Sequence, residues 1–308
     1  MKQFITKIAI YLLIVMIIIT GLLFLAKSRS PKSFLFLSNS ASYNLKAGFV
    51  AENLSKLNSS KIVVLGSSMS LNNVNAVMLQ DSFHLSAINL ASWGLKLSNY
   101  KASELWDQNR IILMNMQFTD FTPTGIELKN GFNFNVSKAS EMFNIFMDFK
   151  TYLNQLKFAK FIQQNTIRDY NYCQFDECGS VLLADSGFHK RLKRWTNDDY
   201  KAEKLNLAMV KAYVAELKET IASHKKNTKI IITFCPGRRP FYNKERSDMV
   251  LKFAALLKQE CPSVIFINRF DADYHDNFFV DNVHYNRSGA TKFTGEVIDS
   301  LKKMNVIH

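Results

Sequence analysis

Residues 61–68 read Lys-Ile-Val-Val-Leu-Gly-Ser-Ser. Four apolar residues, three of them β-branched, run into Gly66 without a polar interruption. A half-exposed strand would alternate, so this run predicts a strand buried on both faces, as in a parallel sheet covered by helices. A glycine and two serines then stop it abruptly, as a tight turn would. In an open α/β sheet, ligands bind just outside the carboxyl ends of the strands. The stretch therefore narrows the fold class and also places Ser67 and Ser68 where a nucleophile could stand.

The same rhythm recurs downstream. Val74, Val77 and Met78 predict a helix over Met69–Gln80. A second strand is expected over Phe83–Leu90, ending at Ala91-Ser92-Trp93-Gly94. A polar helix over Ser98–Gln108 and a third strand over Arg110–Met116 follow. Residues 118–200 break the alternation. There Met142, Phe146, Phe149, Leu153 and Leu156 recur at three- and four-residue spacing and predict a long helix over about 138–164. Its Phe-rich face suits either the core or a membrane surface. The basic run Lys190-Arg191-Leu192-Lys193-Arg194 suits a solvated face, lipid headgroups or an anionic polymer. Alternation then resumes: a helix opened by Asp198 and Asp199 and reaching Ala222, a strand over Lys229–Phe234, a helix over Asn243–Gln259, a strand over Val264–Asn268, and a last helix from Arg287 to Lys303. The expected fold is α/β, three layers α/β/α around a five-stranded, mainly parallel sheet, with a helical insertion at about 118–200.

The amino terminus carries a different signal. Ile8 to Ala26 is an uncharged run between Lys7 and Lys27. At about 1.5 Å per residue it just spans a hydrocarbon core of about 30 Å. A cleaved signal peptide is the rival, but its apolar core would be shorter, and no A-x-A site follows. An uncleaved single-pass anchor is expected over 1–30, a Ser- and Asn-rich stalk with a lead-in helix (Leu45–Leu57) over 31–60, and the body over 61–308. Lys2 and Lys7 precede the span while Lys27, Arg29 and Lys32 follow it, so flanking charge does not orient it.

Composition restricts partners rather than fold. The chain is 47% hydrophobic and 21% charged, which excludes a disordered tail. Its net charge of +13 suits an anionic neighbour: membrane headgroups or an acidic envelope polymer. It carries no nucleic-acid-binding motif, so nucleic acid is not an expected partner. Of the four cysteines, Cys173 and Cys178 could close a disulfide loop; equally, all four (with Cys235 and Cys261) could be buried thiols.

Serine-based acyl chemistry needs a nucleophile, a base for its proton and donors for the oxyanion. Asp281-Asn282-Val283-His284 lies after the last strand and before the last helix, at the sheet end where Ser68 is expected. Its spacing lets Asp281 orient His284 from the same loop. His84, His189, His224, His275 and His308 are less well placed, with His275 the nearest competitor. Arg238 and Arg239, just past the fourth strand, are candidate substrate-binding residues.

In these blocks the chain resembles the SGNH/GDSL hydrolases. Gly66-Ser67-Ser68 stands for their first block, Gly94 for the glycine after the second strand, and Asp281-x-x-His284 for the terminal block. The Asp of the first block is Ser67 here, and the G-x-N-D block is absent. Asn115 or Gln117 would have to supply its donor, with the backbone N–H groups of Ser68 and Gly94 carrying the rest of the oxyanion hole. The resemblance implies a flavodoxin-like sheet and a Ser68–His284–Asp281 triad with no metal or dissociable cofactor. Within the superfamily the arrangement looks like the D-alanine transfer protein of teichoic-acid D-alanylation and related polysaccharide O-acetylation proteins. That implies an anchored acyltransferase or esterase on the extracytoplasmic side of the cell membrane. It would act on an envelope polysaccharide or teichoic acid, beside a multi-span membrane-bound O-acyltransferase as acyl donor. A catalytically inactive scaffold of the same fold is the reading from another class.

Overall fold

The computed structural model describes residues 2–28, 41–101, 103–107, 109–122, 175–183, 206–224, 228–239, 242 and 244–307. Elements are numbered through these residues. The chain divides into two compact units, Met1–Leu35 and Phe36–His308.

The first unit is helix α1 (Lys2–Ser28). Its segment Gln3–Gly21 has a mean hydropathy of 2.4 and none of it is buried. Among the described residues it is the one helix long and apolar enough to cross a membrane.

The second unit is built on a five-stranded, all-parallel sheet in the order β2-β1-β3-β4-β5. The strands are β1 (Ile62–Leu65), β2 (Ala87–Asn89), β3 (Ile111–Met116), β4 (Lys229–Phe234) and β5 (Ile265–Asn268). Ile62 pairs with Ala87 on one side and Ile111 on the other, so β1 is an interior strand flanked in register. Every residue of β1 is buried, as its unbroken apolar run requires. Side chains alternate between two covered faces. Ile62, Val64, Leu113, Ile231 and Ile267 share a core with Leu79 of α5 (Ala76–Phe83) and with Phe293, Val297 and Leu301 of α9 (Arg287–Lys303). On the other face Phe234 meets Phe253 of α8 (Lys244–Glu260). Phe253 in turn packs edge-on against Tyr213 of α7 (Leu207–Ser223) and against Phe121. The expected three layers are present, and Phe118, Phe121, Phe234, Phe253, Phe266 and Phe270 form an aromatic cluster on this second face.

Several expected boundaries shift, each for a local reason. The helix expected over Met69–Gln80 is two, α4 (Ser68–Asn73) and α5, because the Asn75 side chain caps a fresh start by accepting from Met78 N–H. The second strand is only Ala87–Asn89: Phe83 still belongs to α5, and His84 closes that helix in the left-handed region (φ 52°). The polar helix over Ser98–Gln108 reduces to a short α6 (Leu97–Tyr100) and a 3-10 turn (Glu104–Asp107). Residues expected to lead into the body form α2 (Ala41–Glu52) and α3 (Leu54–Ser59), and α2 buries Tyr43, Ala47 and Val50 completely. The helix expected at 138–164, the basic run 190–194, the acidic start at Asp198 and Cys173 lie outside the described residues. Cys178, Cys235 and Cys261 are buried free thiols.

Lys46 of α2 is fully buried. Its ammonium donates to the carbonyls of Asn89 (2.8 Å) and Gly179 and lies 4.2 Å from the centre of the Phe175 ring. Burial lowers its pKa to about 7, partly offset by Asp176. Unfolded, the same lysine titrates near about 10.4. Between those values the unfolded chain holds a proton that the folded chain lacks, so stability rises with pH there, by up to about 1.4 kcal/mol per unit. Denaturant melts from pH 7 to pH 9 should show this rise, and Lys46→Met should flatten it. An equal slope in both proteins would reject the account.

Candidate active site

The carboxyl end of β1 turns at Gly66, whose φ of +127° is open to glycine and strained for other residues. A Cβ there would also fall 2.5 Å from Ser70 Oγ. Tyr100 fastens the turn: its hydroxyl donates to Gly66 O (2.7 Å) and accepts from Gly66 N–H (3.0 Å). Ser67 is the N-cap of α4, its Oγ accepting from Met69 N–H at 3.3 Å. Ser68 is the first residue of α4 and is half-buried. The two serines thus divide the work: one closes the helix end while the other turns its hydroxyl toward His284.

Ser68 Oγ lies 2.8 Å from His284 Nε2. His284 Nδ1 lies 2.6 Å from Asp281 Oδ2. The other carboxylate oxygen of Asp281 accepts from the backbone N–H groups of Val283 (2.9 Å) and His284 (2.7 Å). Burial alone would raise the Asp281 carboxyl. The charge of His284 and these hydrogen bonds outweigh it, so the carboxyl sits below its ordinary value. A carboxylate held ionised against Nδ1 puts the proton on that nitrogen and leaves Nε2 as the acceptor facing the serine.

The loop that carries this pair is tied to the helix that carries Ser68. Asn73 Nδ2 donates to Val283 O (3.0 Å) and Asn73 Oδ1 accepts from Tyr285 N–H (2.8 Å), bracketing His284 on both sides. Tyr285 donates its hydroxyl to Pro236 O at 2.7 Å. Residues 175–183 link the serine's helix to the start of α9, just after that loop: Val181 N–H bonds Leu71 O (3.1 Å), and Leu183 O accepts from Arg287 N–H (2.7 Å). Asn73→Ala should therefore leave Val283 O and Tyr285 N–H without partners in a buried setting. Each such group costs about 1–3 kcal/mol. The expected result is a lower denaturation midpoint together with a fall in turnover larger than any change in KM. Unchanged turnover would mean that the bracket does not position the base.

Other expected site residues are placed differently. Arg238 is not open to substrate. Its Nε and Nη2 grip Asp276 (3.0 and 2.6 Å), its Nη1 donates to Asn282 Oδ1 (3.0 Å), and only 11% of its side chain is exposed. It braces the Asp281–His284 loop from outside. Arg239 is paired with Asp273 at 2.6 Å on the surface. Asn115 Nδ2 donates to Met69 O (2.9 Å) and its Oδ1 accepts from Thr233 (3.0 Å). Gln117 Nε2 donates to Cys235 O at 2.6 Å. Both amides are almost fully buried and hold the ends of β3 and β4 together, so neither is the side-chain oxyanion donor expected of it. Gly94 is exposed in a left-handed turn (φ +79°) after β2. Cys235 is no rival nucleophile, because burial pushes its thiol up to about 11. His275 caps a 3-10 turn by accepting from Asn277 N–H, His84 closes α5, and His224 bonds Lys101 O.

The sequence reading also missed residues. Asn73, Trp93 and Asp120 all lie at the site. Trp93 stacks on His284. Asp120 is buried and accepts from Gln117 N–H (2.8 Å). Burial raises its carboxyl, against the pull of Lys96, a hydrogen bond from Ser67 and the charge of His284. Asn72 and Asn73 end a short helix and are both fully buried, and buried amides must find partners.

No protein-family model matches the chain, and no curated protein matches it. Among solved structures, an acetyl xylan esterase (Est2A) from the rumen bacterium Butyrivibrio proteoclasticus aligns with a TM-score of 0.39 and 11% identity over 81% of this chain. The chain spans 65% of that protein's length.

Proposed function

We propose that this protein is a membrane-anchored serine acyltransferase that moves an acyl group, acetyl or D-alanyl, through an acyl-Ser68 ester onto a hydroxyl of a cell-envelope polysaccharide or teichoic acid. The observation that carries the acyl-transfer chemistry is the continuous relay from Ser68 Oγ through His284 to Asp281. Ser68 Oγ attacks the donor's carbonyl carbon as His284 Nε2 takes its proton. The bond to the leaving group breaks, and His284 returns the proton to that group. The acceptor hydroxyl then attacks the acyl-serine and gives its proton to His284. The bond from the acyl carbon to Ser68 Oγ breaks, and His284 returns the proton to that oxygen. Backbone N–H groups of Ser68 and Gly94 stand as oxyanion donors in this scheme, because the amides of Asn115 and Gln117 are committed elsewhere.

Transfer to a polymer, rather than to water, is favoured by the apolar α1 and by the net charge of +13, which suits an anionic acceptor at a membrane surface. The scheme puts the body on the extracytoplasmic side, with a multi-span membrane-bound O-acyltransferase supplying the activated acyl group. The esterase reading uses the same relay with water as acceptor. Deleting the protein from its host and measuring envelope ester content separates them: transfer predicts a loss of ester, hydrolysis a gain. Complementation of the deletion by Ser68→Ala would mean that the protein is a scaffold and that both catalytic readings are wrong.

A further inference from the structure

The imidazole of His284 is held in its plane at two edges, by Asp281 and by Ser68. Those bonds act at the ring's edge and place nothing on its faces. A third contact meets the ring's face. The indole of Trp93 lies 5.9 Å from it, centre to centre, at an interplanar angle of 16°. The indole is itself anchored. Its Nε1–H donates to Asn72 Oδ1 at 2.9 Å, and Asn72 Nδ2 donates to Val181 O at 2.9 Å. Its backbone N–H bonds Ser42 Oγ of α2 at 3.3 Å, and that hydroxyl also takes a 2.9 Å hydrogen bond from Ser92. Trp93 therefore has fixed partners on α2 and α4.

We infer that Trp93 is a positioning residue for the base of the acyl-transfer reaction: anchored by Asn72, its indole face limits the tilt of His284 and favours the imidazolium formed when Ser68 is deprotonated. This rests on the acyl-transfer reading of the site. A cation against an aromatic face is stabilised by the ring's quadrupole. The charged groups that act on the imidazole are Asp281, bonded to it, and Asp120 at longer range, with Lys96 beside Asp120. The carboxylates also favour the imidazolium. The indole adds to them without a titration of its own, and among the described ring contacts it is the one that lies on the imidazole's face.

Two measurements test this. With p-nitrophenyl acetate as substrate, Trp93→Leu should lower kcat by about 3- to 30-fold with little change in KM, and Trp93→Phe should restore most of it. In a His284→Gln background the leucine variant should cause no further loss. The second measurement needs no activity. A protonated imidazole quenches a stacked indole, so tryptophan emission should fall as the solution is acidified. His284→Gln should remove that fall. Trp106 stacks on His224 at 6.2 Å, so His224→Gln is the control and should leave the His284-dependent part intact. Emission curves identical in wild type and His284→Gln would overturn the stacking, and an unchanged kcat in Trp93→Leu would overturn its role. A wild-type protein without ester turnover would count against the acyl-transfer reading, while the emission difference would still decide the stack.

Discussion

Ser68→Ala is expected to abolish covalent capture by a fluorophosphonate probe and to lower turnover of an activated aryl ester by about 10⁴- to 10⁶-fold. The size follows from the relay. His284 Nε2 sits 2.8 Å from Ser68 Oγ, and without that oxygen the base has nothing to activate. Residual turnover would come from backbone donors and binding alone. The fold should be nearly unaffected, because Ser68 is half-buried at the start of a helix that Ser67 caps. Ser67→Ala is the matched control. It should lose about 1 kcal/mol of stability with the cap, yet still label. Labelling that survives Ser68→Ala and disappears in Ser67→Ala would assign the nucleophile to the other serine.

Asp281→Asn should lower kcat by about 10²- to 10⁴-fold while the fold persists. One carboxylate oxygen takes the backbone N–H groups of Val283 and His284, and the other takes Nδ1–H. An amide has a single oxygen. With that oxygen on the backbone pair, its NH2 faces Nδ1, which must then accept. The ring proton moves to Nε2, where it points at Ser68 and blocks proton removal. The variant also tests the ionised state. Burial acts to raise this carboxyl, but the charge of His284 and the hydrogen bonds prevail and depress it. A depressed carboxyl contributes stability above its unfolded value, near about 3.9, and loses it as pH falls through the folded value. The stability gap between wild type and Asp281→Asn should therefore narrow in acid. A gap that stayed constant would mean that the two states bind protons alike.

The relay was legible in the sequence because each member sits at a boundary that a linear pattern can mark. Ser68 follows an unbroken apolar strand, and Asp281 and His284 share one loop before the last helix. The place of Arg238 was not legible for the complementary reason. Position after a strand places a backbone but says nothing of what a long side chain will meet. Arg238 meets Asp276 and Asn282, which come from a loop some forty residues on. Asn115 and Gln117 were assigned by analogy with a missing block, and their amides satisfy buried carbonyls instead. Asn73 and Trp93 were passed over because an amide or an indole acquires a role only from the element packed against it.

By itself the sequence determined the class of fold, the direction of the strands and the apolar amino-terminal helix, and it pointed to the hydrogen-bonded grouping of Ser68, His284 and Asp281. These depend on short-range pattern: runs of apolar residues, small-residue stops and a three-residue spacing. The tertiary structure alone decided how the relay is held. Asn73 brackets His284, Trp93 stacks on its face, Arg238 braces its loop, and residues 175–183 tie the helix after that loop to the serine's helix. Each of these contacts joins residues far apart in the chain. A hydrogen bond or a ring stack is fixed by distance in space, and only the folded sheet brings those partners together.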